Sequence, residues 1–161
     1  MARPERIVVL TGAGISAESG LATFRGSDGL WEGHRIEDVA TPAAWWHDAE
    51  TVWRFYTLRR RALLDVEPNA AHHALVRLER EGPEVLLITQ NVDDLHQRAG
   101  SVSLLPMHGQ LRMLRCEQSG QTEERMAETD LDPDSFVECR CCVAPSRMRP
   151  DIVWFGEIPL G

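Results

Sequence analysis

The chain has 161 residues, of which 43% are hydrophobic and 26% are charged, and its formal net charge is -8. This length is sufficient for one globular domain with a sizeable core, and the excess of acidic residues argues against non-specific nucleic-acid binding. The sequence shows neither a membrane-spanning apolar run nor a signal-peptide pattern, so the cytoplasm is the expected compartment.

The first predicted element is a strand that runs into a glycine turn. Residues 6–11 contain four consecutive apolar residues, which is typical of a strand buried on both faces of a parallel sheet. Residues 12–17 then match the G-x-G-x-x-A form of the dinucleotide fingerprint, with the pyrophosphate expected at the start of the following helix. In that fingerprint Gly12 permits the tight turn and Gly14 lets the backbone approach a ligand. A plain glycine turn between a strand and a helix is the alternative.

A long loop is predicted after the glycine turn. The helix that begins there is interrupted at Gly20, and residues 20–35 show no strand pattern. A hydride-transferring Rossmann domain would continue with a second strand and an acidic residue about 20 residues on, so an oxidoreductase is disfavoured. Long loops beside a phosphate site are usually functional or disordered, and Phe24 and Arg25 suggest ordering around a planar, anionic ligand.

A long helix is predicted from Thr41-Pro42 to about Val66, because a capping hydroxyl precedes a proline at the first helical position. An arginine, Arg59, lies on its inward stripe, where an unpaired charge is costly. Either Arg59 pairs with a carboxylate of the protein or reaches water, or it acts with Tyr56, on the same face, to recognise a carboxylate of a substrate. The stripe consists of Trp45, Ala49, Val52, Tyr56, Arg59, Leu63 and Val66.

A second helix is predicted from Ala70 to about Glu81, because Glu67-Pro68-Asn69 breaks the chain and caps the helix and Gly82 ends it. Adjacent His72 and His73 cannot share one helix face and are interpreted as partly exposed structural residues without a metal role. The predicted buried face consists of Ala71, Ala74, Leu75 and Leu78.

Polar residues follow the second predicted parallel strand, residues 85–88, which completes a βαβ unit. Gln90, Asn91 and Asp93 should therefore lie at the same sheet edge as the glycine turn, where such sheets bind ligands. Capping of the following helix, residues 94–98, is the alternative for Asn91 or Asp93.

A shorter strand is predicted at Val102, Leu104 and Leu105, and His108 follows it. This histidine should lie at the same sheet edge and can exchange a proton near neutral pH. A purely structural histidine is the alternative.

Four cysteines in the last third indicate a metal site before disulfides. Positions 116, 119, 139 and 142 have the spacing of a structural zinc ribbon, but position 119 is a serine. Three options remain open. Cys141 is a fourth ligand, water or Glu117 completes a site with three thiolates, or the metal site is weakened or lost.

Segments spaced along the chain resemble the sirtuins, the NAD-dependent protein-lysine deacylases, and occur in the order of that family. The resemblance implies an α/β fold with an incomplete Rossmann-like parallel sheet and a smaller helical plus zinc-ribbon module. The family pattern continues past Gly161, so a C-terminally truncated chain is expected, and a fragment that only binds acyl-peptide or NAD weakly stays the alternative function. The matching segments are residues 12–16, 19–20, 23–26, 89–93, 108–109 and 149–157.

The resemblance also implies a division of the chain into modules. The Rossmann-like NAD-binding part comprises residues 1–35, 81–111 and 149–161, the helical insertion residues 36–80, and the zinc-ribbon-like insertion residues 112–148.

The activity implied by the resemblance is removal of acyl groups from protein lysine, with NAD consumed to give nicotinamide and O-acyl-ADP-ribose. His108 matches the family's general base, while Asn91 and Asp93 hold the geometry at the nicotinamide ribose. The cofactor-binding residues carried over from the family are Gly12, Ala13, Gly14, Ile15, Ser16, Ser19, Phe24, Arg25, Trp31, Gln90, Asn91, Val92 and Asp93.

Substrate and metal residues are carried over in the same way. Tyr56 and Arg59 resemble the pair of the subgroup that removes succinyl, malonyl or glutaryl groups, and one structural zinc ion is implied on Cys116, Cys139 and Cys142. Acylated-lysine proteins or peptides and NAD are the implied partners, with neither direct nucleic-acid nor membrane binding. The segment implied to pair as a strand with the substrate peptide is Val153, Trp154, Phe155, Gly156 and Glu157.

Overall fold

The computed structural model describes residues 5–22, the backbone of 30–31, and residues 33–160. None of the helices in this part of the chain combines the length and the hydrophobicity that a membrane span needs. The elements in chain order are β1 (Arg6–Thr11), a 3-10 helix (Ala13–Ser19), β2 (Leu30–Trp31), β3 (His34–Arg35), α1 (Ile36–Val39), α2 (Pro42–His47), α3 (Ala49–Ala62), a 3-10 turn (Leu63–Asp65), α4 (Ala70–Glu81), β4 (Glu84–Thr89), α5 (Leu95–Ala99), β5 (Leu104–Pro106), β6 (Gly109–Cys116), β7 (Thr122–Glu124), a 3-10 helix (Glu128–Leu131) and β8 (Met148–Ile152).

A parallel sheet with the strand order β1-β4-β5 organises the fold. Thr11 is in register with Thr89, and Thr89 with Pro106, so the three strands end at one edge. The carboxyl ends of parallel strands are where α/β sheets bind ligands. The predicted α/β class with a parallel sheet is confirmed.

The prediction that β1 is buried on both faces is wrong. Val8 is 59% exposed and Leu10 61% exposed, and Leu86 on the neighbouring strand is also exposed. In the described part of the chain, helix α4 packs against the opposite face, which carries the buried Val85 and Leu87. An apolar run does not reveal whether one or both faces of a sheet are covered.

The predicted helix 41–66 is two helices, α2 and α3, with a break at Asp48. Thr41 caps α2 as predicted, since its Oγ1 accepts from the Ala44 N–H at 3.0 Å. Asp48 has non-helical backbone dihedrals (φ -146°, ψ 74°), and its Oδ1 accepts from the Thr51 N–H at 3.1 Å, so it caps a new helix. The inward stripe continues across the break, with five positions buried: Trp45, Val52, Tyr56, Arg59 and Leu63.

Helix α4 has the predicted bounds but a different buried face. Asn69 caps it, with Oδ1 accepting from the Ala71 N–H at 2.9 Å, and the His72 ring Nδ1 accepts from the Asn69 N–H at 3.2 Å. This reciprocal cap turns His72 inward, where it is fully buried with Val76 while Ala71 is exposed. The interpretation of His72 as partly exposed is therefore wrong. Ala74 is exposed as well, and Leu75 and Leu78 are only half-buried.

A second, antiparallel sheet has the strand order β7-β6-β8. Its inner face and α3 enclose a core whose largest members are tryptophans, with Trp154 at ring-centroid distances of 5.8 Å from Trp45 and 6.3 Å from Tyr56. A small antiparallel hairpin, β2–β3, lies within the segment 20–35, for which no strand was predicted. The division into three modules stays a prediction.

We expect buried His96 to make the protein less stable in acid. His96 is 2% exposed, its Nε2 lies 3.0 Å from Thr11 Oγ1, and burial together with nearby His72 lowers its pKa to about 4. An unfolded histidine has a pKa of about 6.5, so the unfolded chain takes up this proton first. The free energy of unfolding should therefore fall as the pH drops from about 6.5 towards 4. This one group contributes at most about 1.4 kcal/mol per pH unit.

Urea unfolding at pH 7, 6 and 5 tests this expectation. His96→Gln should flatten the pH dependence, whereas the same change at the exposed His73 on α4 should leave it as in the unchanged protein. Equal slopes for all three proteins would contradict the role assigned to His96.

Candidate active site

A cavity of about 810 Å³ opens at the carboxyl edge of the parallel sheet, between the sheet, α3 and the segment after β8. This volume is within the range of small-molecule and cofactor sites. Residues from distant parts of the sequence line it, and among them are Ser16, Tyr56, Arg59, Asn91, Asp93 and His108.

A buried hydrogen-bond network joins the glycine turn to the end of β4. The Ser16 hydroxyl donates to Asp93 Oδ2 at 2.9 Å, and Asn91 Nδ2 donates to Ser16 Oγ at 3.0 Å. Asp93 Oδ1 also accepts from the Leu95 N–H at 3.1 Å, so the carboxylate binds the first amide of α5 as well as lining the cavity. Burial raises the pKa of Asp93 against the effect of these hydrogen bonds. The network fixes the Asn91 and Asp93 side chains before any ligand binds.

The glycine turn leaves room for a ligand at Gly14. A Cβ built on Gly14 has no atom of the described residues within 4 Å, and its φ is not left-handed. Neither packing nor backbone conformation in the described residues therefore requires glycine here, whereas close approach of a pyrophosphate would. The turn thus fits the phosphate group of a dinucleotide.

Asn69 supports the same turn from the start of α4. Its Nδ2 donates to the Ile15 carbonyl at 2.7 Å and to Ser19 Oγ at 3.0 Å, while Oδ1 caps α4. The sequence indicated only the capping role of Asn69. Its second role depends on a contact between distant segments and has no local sequence signal.

His108 presents one ring nitrogen as a proton acceptor. Its Nδ1 lies 3.0 Å from the Gln90 carbonyl oxygen, which can only accept, so Nδ1 carries a proton and Nε2 is the acceptor of the neutral ring. The next residue has to be glycine. Gly109 has φ +80°, and an added Cβ would lie 2.1 Å from the Asp151 carbonyl oxygen. This close approach of β6 and β8 holds His108 against the cavity, with Val153 N–H donating to its carbonyl at 2.9 Å.

Tyr56 and Arg59 lie one turn apart on α3 and both line the cavity. The Tyr56 hydroxyl accepts from Trp154 Nε1 at 3.1 Å, and burial raises the pKa of Tyr56, so the phenol is neutral. Arg59 is 8% exposed, donates from Nη1 to the Phe55 carbonyl at 2.7 Å, and places its guanidinium carbon 3.2 Å from the Phe55 ring centroid. A hydroxyl and a guanidinium are thus held at one wall of the cavity.

Residues 153–157 follow β8, which ends at Ile152, and the pairing of this segment with a substrate peptide stays a prediction. The backbone amides are used elsewhere: Phe155 N–H donates to the Ala40 carbonyl at 2.9 Å, and Trp154 N–H donates to Glu157 Oε2 at 2.9 Å. Arg149 Nη2 in turn donates to Glu157 Oε1 at 2.8 Å. The segment lines the cavity as an irregular wall.

The four cysteines meet next to the antiparallel sheet. The sulfurs of Cys116, Cys139, Cys141 and Cys142 all lie within 4.8 Å of one another, and all four thiols are free. Such a cluster could hold a zinc ion. None of the four cysteines is among the residues that line the cavity, so the role of a bound ion would be structural.

Three predicted cofactor residues cannot be placed against the cavity. Phe24 and Arg25 lie outside the described residues, and of Trp31 only the backbone, in β2, is described. Six of the remaining predicted cofactor residues line the cavity: Ala13, Ser16, Gln90, Asn91, Val92 and Asp93.

A parallel sheet with a glycine turn and a polar cluster at its carboxyl edge, together with a cluster of four cysteines, defines an α/β protein with a candidate dinucleotide site and a candidate metal site. The Sir2 family model matches residues 12–160, and the chain belongs to the Sir2 family. A Yersinia pseudotuberculosis protein described as an NAD-dependent protein deacylase is 56% identical over 158 residues, covering 96% of this chain and 55% of the relative. The chain therefore spans about half the length of the curated relatives it matches.

Solved structures agree in fold. A Sir2 homologue in complex with NAD is 45% identical with a TM-score of 0.86, covering 97% of this chain and 59% of that one. A Sir2–p53 peptide–NAD+ complex is 33% identical with a TM-score of 0.77, covering 95% of this chain and 60% of that one.

Proposed function

We propose that this chain carries the catalytic cleft of an NAD-dependent protein-lysine deacylase, which releases free lysine, nicotinamide and O-acyl-ADP-ribose. The observation that carries the proposal is the convergence of Ser16, Asn91, Asp93 and His108 on one cavity. The cofactor named for the relatives and the peptide and NAD in the related structures support it.

Each residue then has a distinct role. When bound, NAD would supply the ribose carbon that the acyl oxygen of the modified lysine attacks as nicotinamide leaves. The turn at residues 12–16 binds the pyrophosphate through its backbone, and Asp93 and Asn91 hold the nicotinamide carboxamide and its ribose in place. This is catalysis by orientation. His108 Nε2 takes the proton from a ribose hydroxyl, since its Nδ1 is already committed to the Gln90 carbonyl.

We further propose that the cleft prefers acidic acyl groups such as succinyl or malonyl. Tyr56 and Arg59 lie on one helix face at the cavity wall, so a carboxylate that enters could accept from both the phenol and the guanidinium. Arginine binds carboxylates in this way more strongly than a neutral donor does.

Release of free lysine from matched succinyl- and acetyl-lysine peptides, with and without NAD, tests the proposed activity by mass spectrometry. We expect NAD-dependent turnover that is faster on the succinyl peptide. A folded chain that binds a labelled acyl-peptide but turns over neither peptide would support the alternative, a binding fragment without catalysis.

Arg59→Met should lower kcat/KM on the succinyl peptide by about 100-fold, because a charge-assisted hydrogen bond is worth about 1.5–3 kcal/mol. Activity on the acetyl peptide should change by less than about threefold. Arg54→Met on the same helix is the matched control, since Arg54 is exposed and pairs with Asp134 at the surface. Equal losses on both peptides would refute the selectivity proposal and leave the deacylase proposal standing.

The proposed compartment is the cytoplasm. The grouping of four cysteines with the dimensions of a metal site supports it, because cysteines of exported proteins are generally paired in disulfides. Fractionation of cells that express the protein with a tag tests the location.

A further inference from the structure

We infer that Cys141 is the fourth ligand of a structural zinc ion. It takes the place of residue 119, which the spacing of a zinc ribbon predicts as the fourth ligand. The ligand set is then Cys116, Cys139, Cys141 and Cys142, and Ser119 is an outer partner of the metal site. Three of these ligands come from one run of four residues.

The distances between the four cysteine sulfurs are those expected around one tetrahedrally coordinated zinc ion. Zinc–sulfur bonds of about 2.3 Å require sulfurs about 3.8 Å apart in a tetrahedral site. The Cys116–Cys142 separation is 3.7 Å and the Cys141–Cys142 separation is 3.8 Å, and no pair among the four exceeds 4.8 Å. These distances are also far longer than a disulfide bond of about 2.05 Å. The cluster thus has the dimensions of a metal site and not of an oxidised pair.

The hydroxyl of Ser119 is engaged as a hydrogen-bonding group beside the sulfurs. Its Oγ lies 3.1 Å from Cys141 Sγ and accepts from the Gln121 N–H at 3.2 Å. Once Cys141 is a thiolate, the hydroxyl is the only possible donor between the two. Ser119 therefore orients and stabilises the ligand that replaces it.

Two further amides support thiolates at this site. Ser119 N–H donates to Cys116 Sγ at 3.4 Å, and Ser146 N–H donates to Cys139 Sγ at 3.3 Å. Backbone donors around ligand sulfurs are the usual outer partners of a metal centre.

The competing oxygen ligand, Glu117, is held away from the cluster. Arg147 donates to both of its carboxylate oxygens, at 2.8 Å from Nε and 3.1 Å from Nη2, and Trp45 Nε1 donates to Oε1. Its recruitment to the metal would break these bonds. Of the ligands that the sequence left open, Cys141 is the one already in place.

Residue-resolved alkylation of the unmutated chain tests this inference without a substitution. Cys141 is exposed, so an unligated thiol there should react quickly with iodoacetamide. We expect Zn²⁺ to protect all four cysteines and EDTA to expose them. Protection of the other three with continued labelling of Cys141 would overturn the inference, as would the absence of any Zn²⁺ binding.

Zinc affinity, measured by competition with a chromophoric chelator, provides the second test. Cys141→Ser should weaken binding by more than about 100-fold, and Ser119→Ala by only about 10-fold, the size of an outer-shell effect. The double variant S119C/C141S restores four thiolates in ribbon spacing and should recover most of the affinity. Unchanged affinity in Cys141→Ser, or a larger loss in Ser119→Ala than in Cys141→Ser, would contradict the assignment.

Cobalt binding controls for variants that fold poorly. Co²⁺ in the unmutated chain should show the thiolate-to-metal absorption intensity of four sulfurs, and the double variant should match it. A three-sulfur intensity in the unmutated chain would refute the assignment whether or not the single variants fold.

Discussion

Replacement of His108 by glutamine should lower kcat for deacylation by about 10²–10⁴-fold, the usual contribution of a general base. Glutamine can still donate a hydrogen bond towards the Gln90 carbonyl, which the His108 ring contacts at 3.0 Å, but it cannot take up a proton. Binding of the peptide and of NAD should change little, since His108 acts in the proposal on a ribose hydroxyl during the reaction. Steady-state kinetics with each substrate varied in turn measure the expected fall in kcat at nearly constant KM.

The matched control is His73→Gln, at an exposed position of α4. It should leave kcat unchanged. A large rise in KM for His108→Gln with kcat preserved would show that His108 binds substrate and is not the base.

Replacement of Trp45 by alanine should reduce the free energy of unfolding by about 3–5 kcal/mol, which is the range for buried aromatic truncations. Trp45 is 2% exposed, lies 5.8 Å from Trp154 between ring centroids, and has the Arg147 guanidinium carbon 4.6 Å from its ring centroid. The change would also remove the indole N–H that donates to Glu117. Since small domains are stable by about 5–15 kcal/mol, this loss is a large share of the total.

Urea unfolding of Trp46→Ala supplies the control, because the neighbouring indole on the same helix is 77% exposed. We expect a change within about 0.5 kcal/mol there. Similar losses for the two variants would mean that helix propensity, and not packing against Trp154, determines the effect.

Elements whose ends depend on local chemistry could be predicted from the sequence. Helix α4 has the predicted bounds, with Asn69 as the cap at its start and Gly82 at its end. Glycine fits at position 82 because any Cβ there would lie 2.5 Å from the Leu78 carbonyl oxygen. The break at Asp48 had a local signal too, a capping aspartate three residues before Thr51. The apolar stripe keeps its register across the break, so the periodicity of apolar residues alone predicted one continuous helix.

Features that depend on contacts between distant segments could not be predicted. His72 is buried because its ring packs at 4.8 Å from that of His96. Arg60 is fully buried because it donates to the carbonyl of Asp130 at 2.9 Å, and burial lowers its pKa to about 10. No local sequence pattern around His72 or Arg60 predicts these partners.

The same distinction, between local signals and contacts of distant segments, applies to the residues of the candidate site. Polar residues at strand ends, such as Asp93 and His108, were predictable because parallel strands end at one edge. The position of Cys141 beside Ser119 depends on the path of the loop between β7 and β8, and the spacing of cysteines left it open.

The hydrogen bond between Trp45 and Glu117 connects the proposed metal site to the proposed substrate-binding wall of the cavity. Glu117 follows a proposed zinc ligand in the chain, and Trp45 packs on Trp154, whose indole holds the Tyr56 hydroxyl. Thermodynamic reciprocity then applies to the two sites. Whatever factor zinc contributes to the affinity for an acyl-peptide, bound peptide must contribute the same factor to the affinity for zinc.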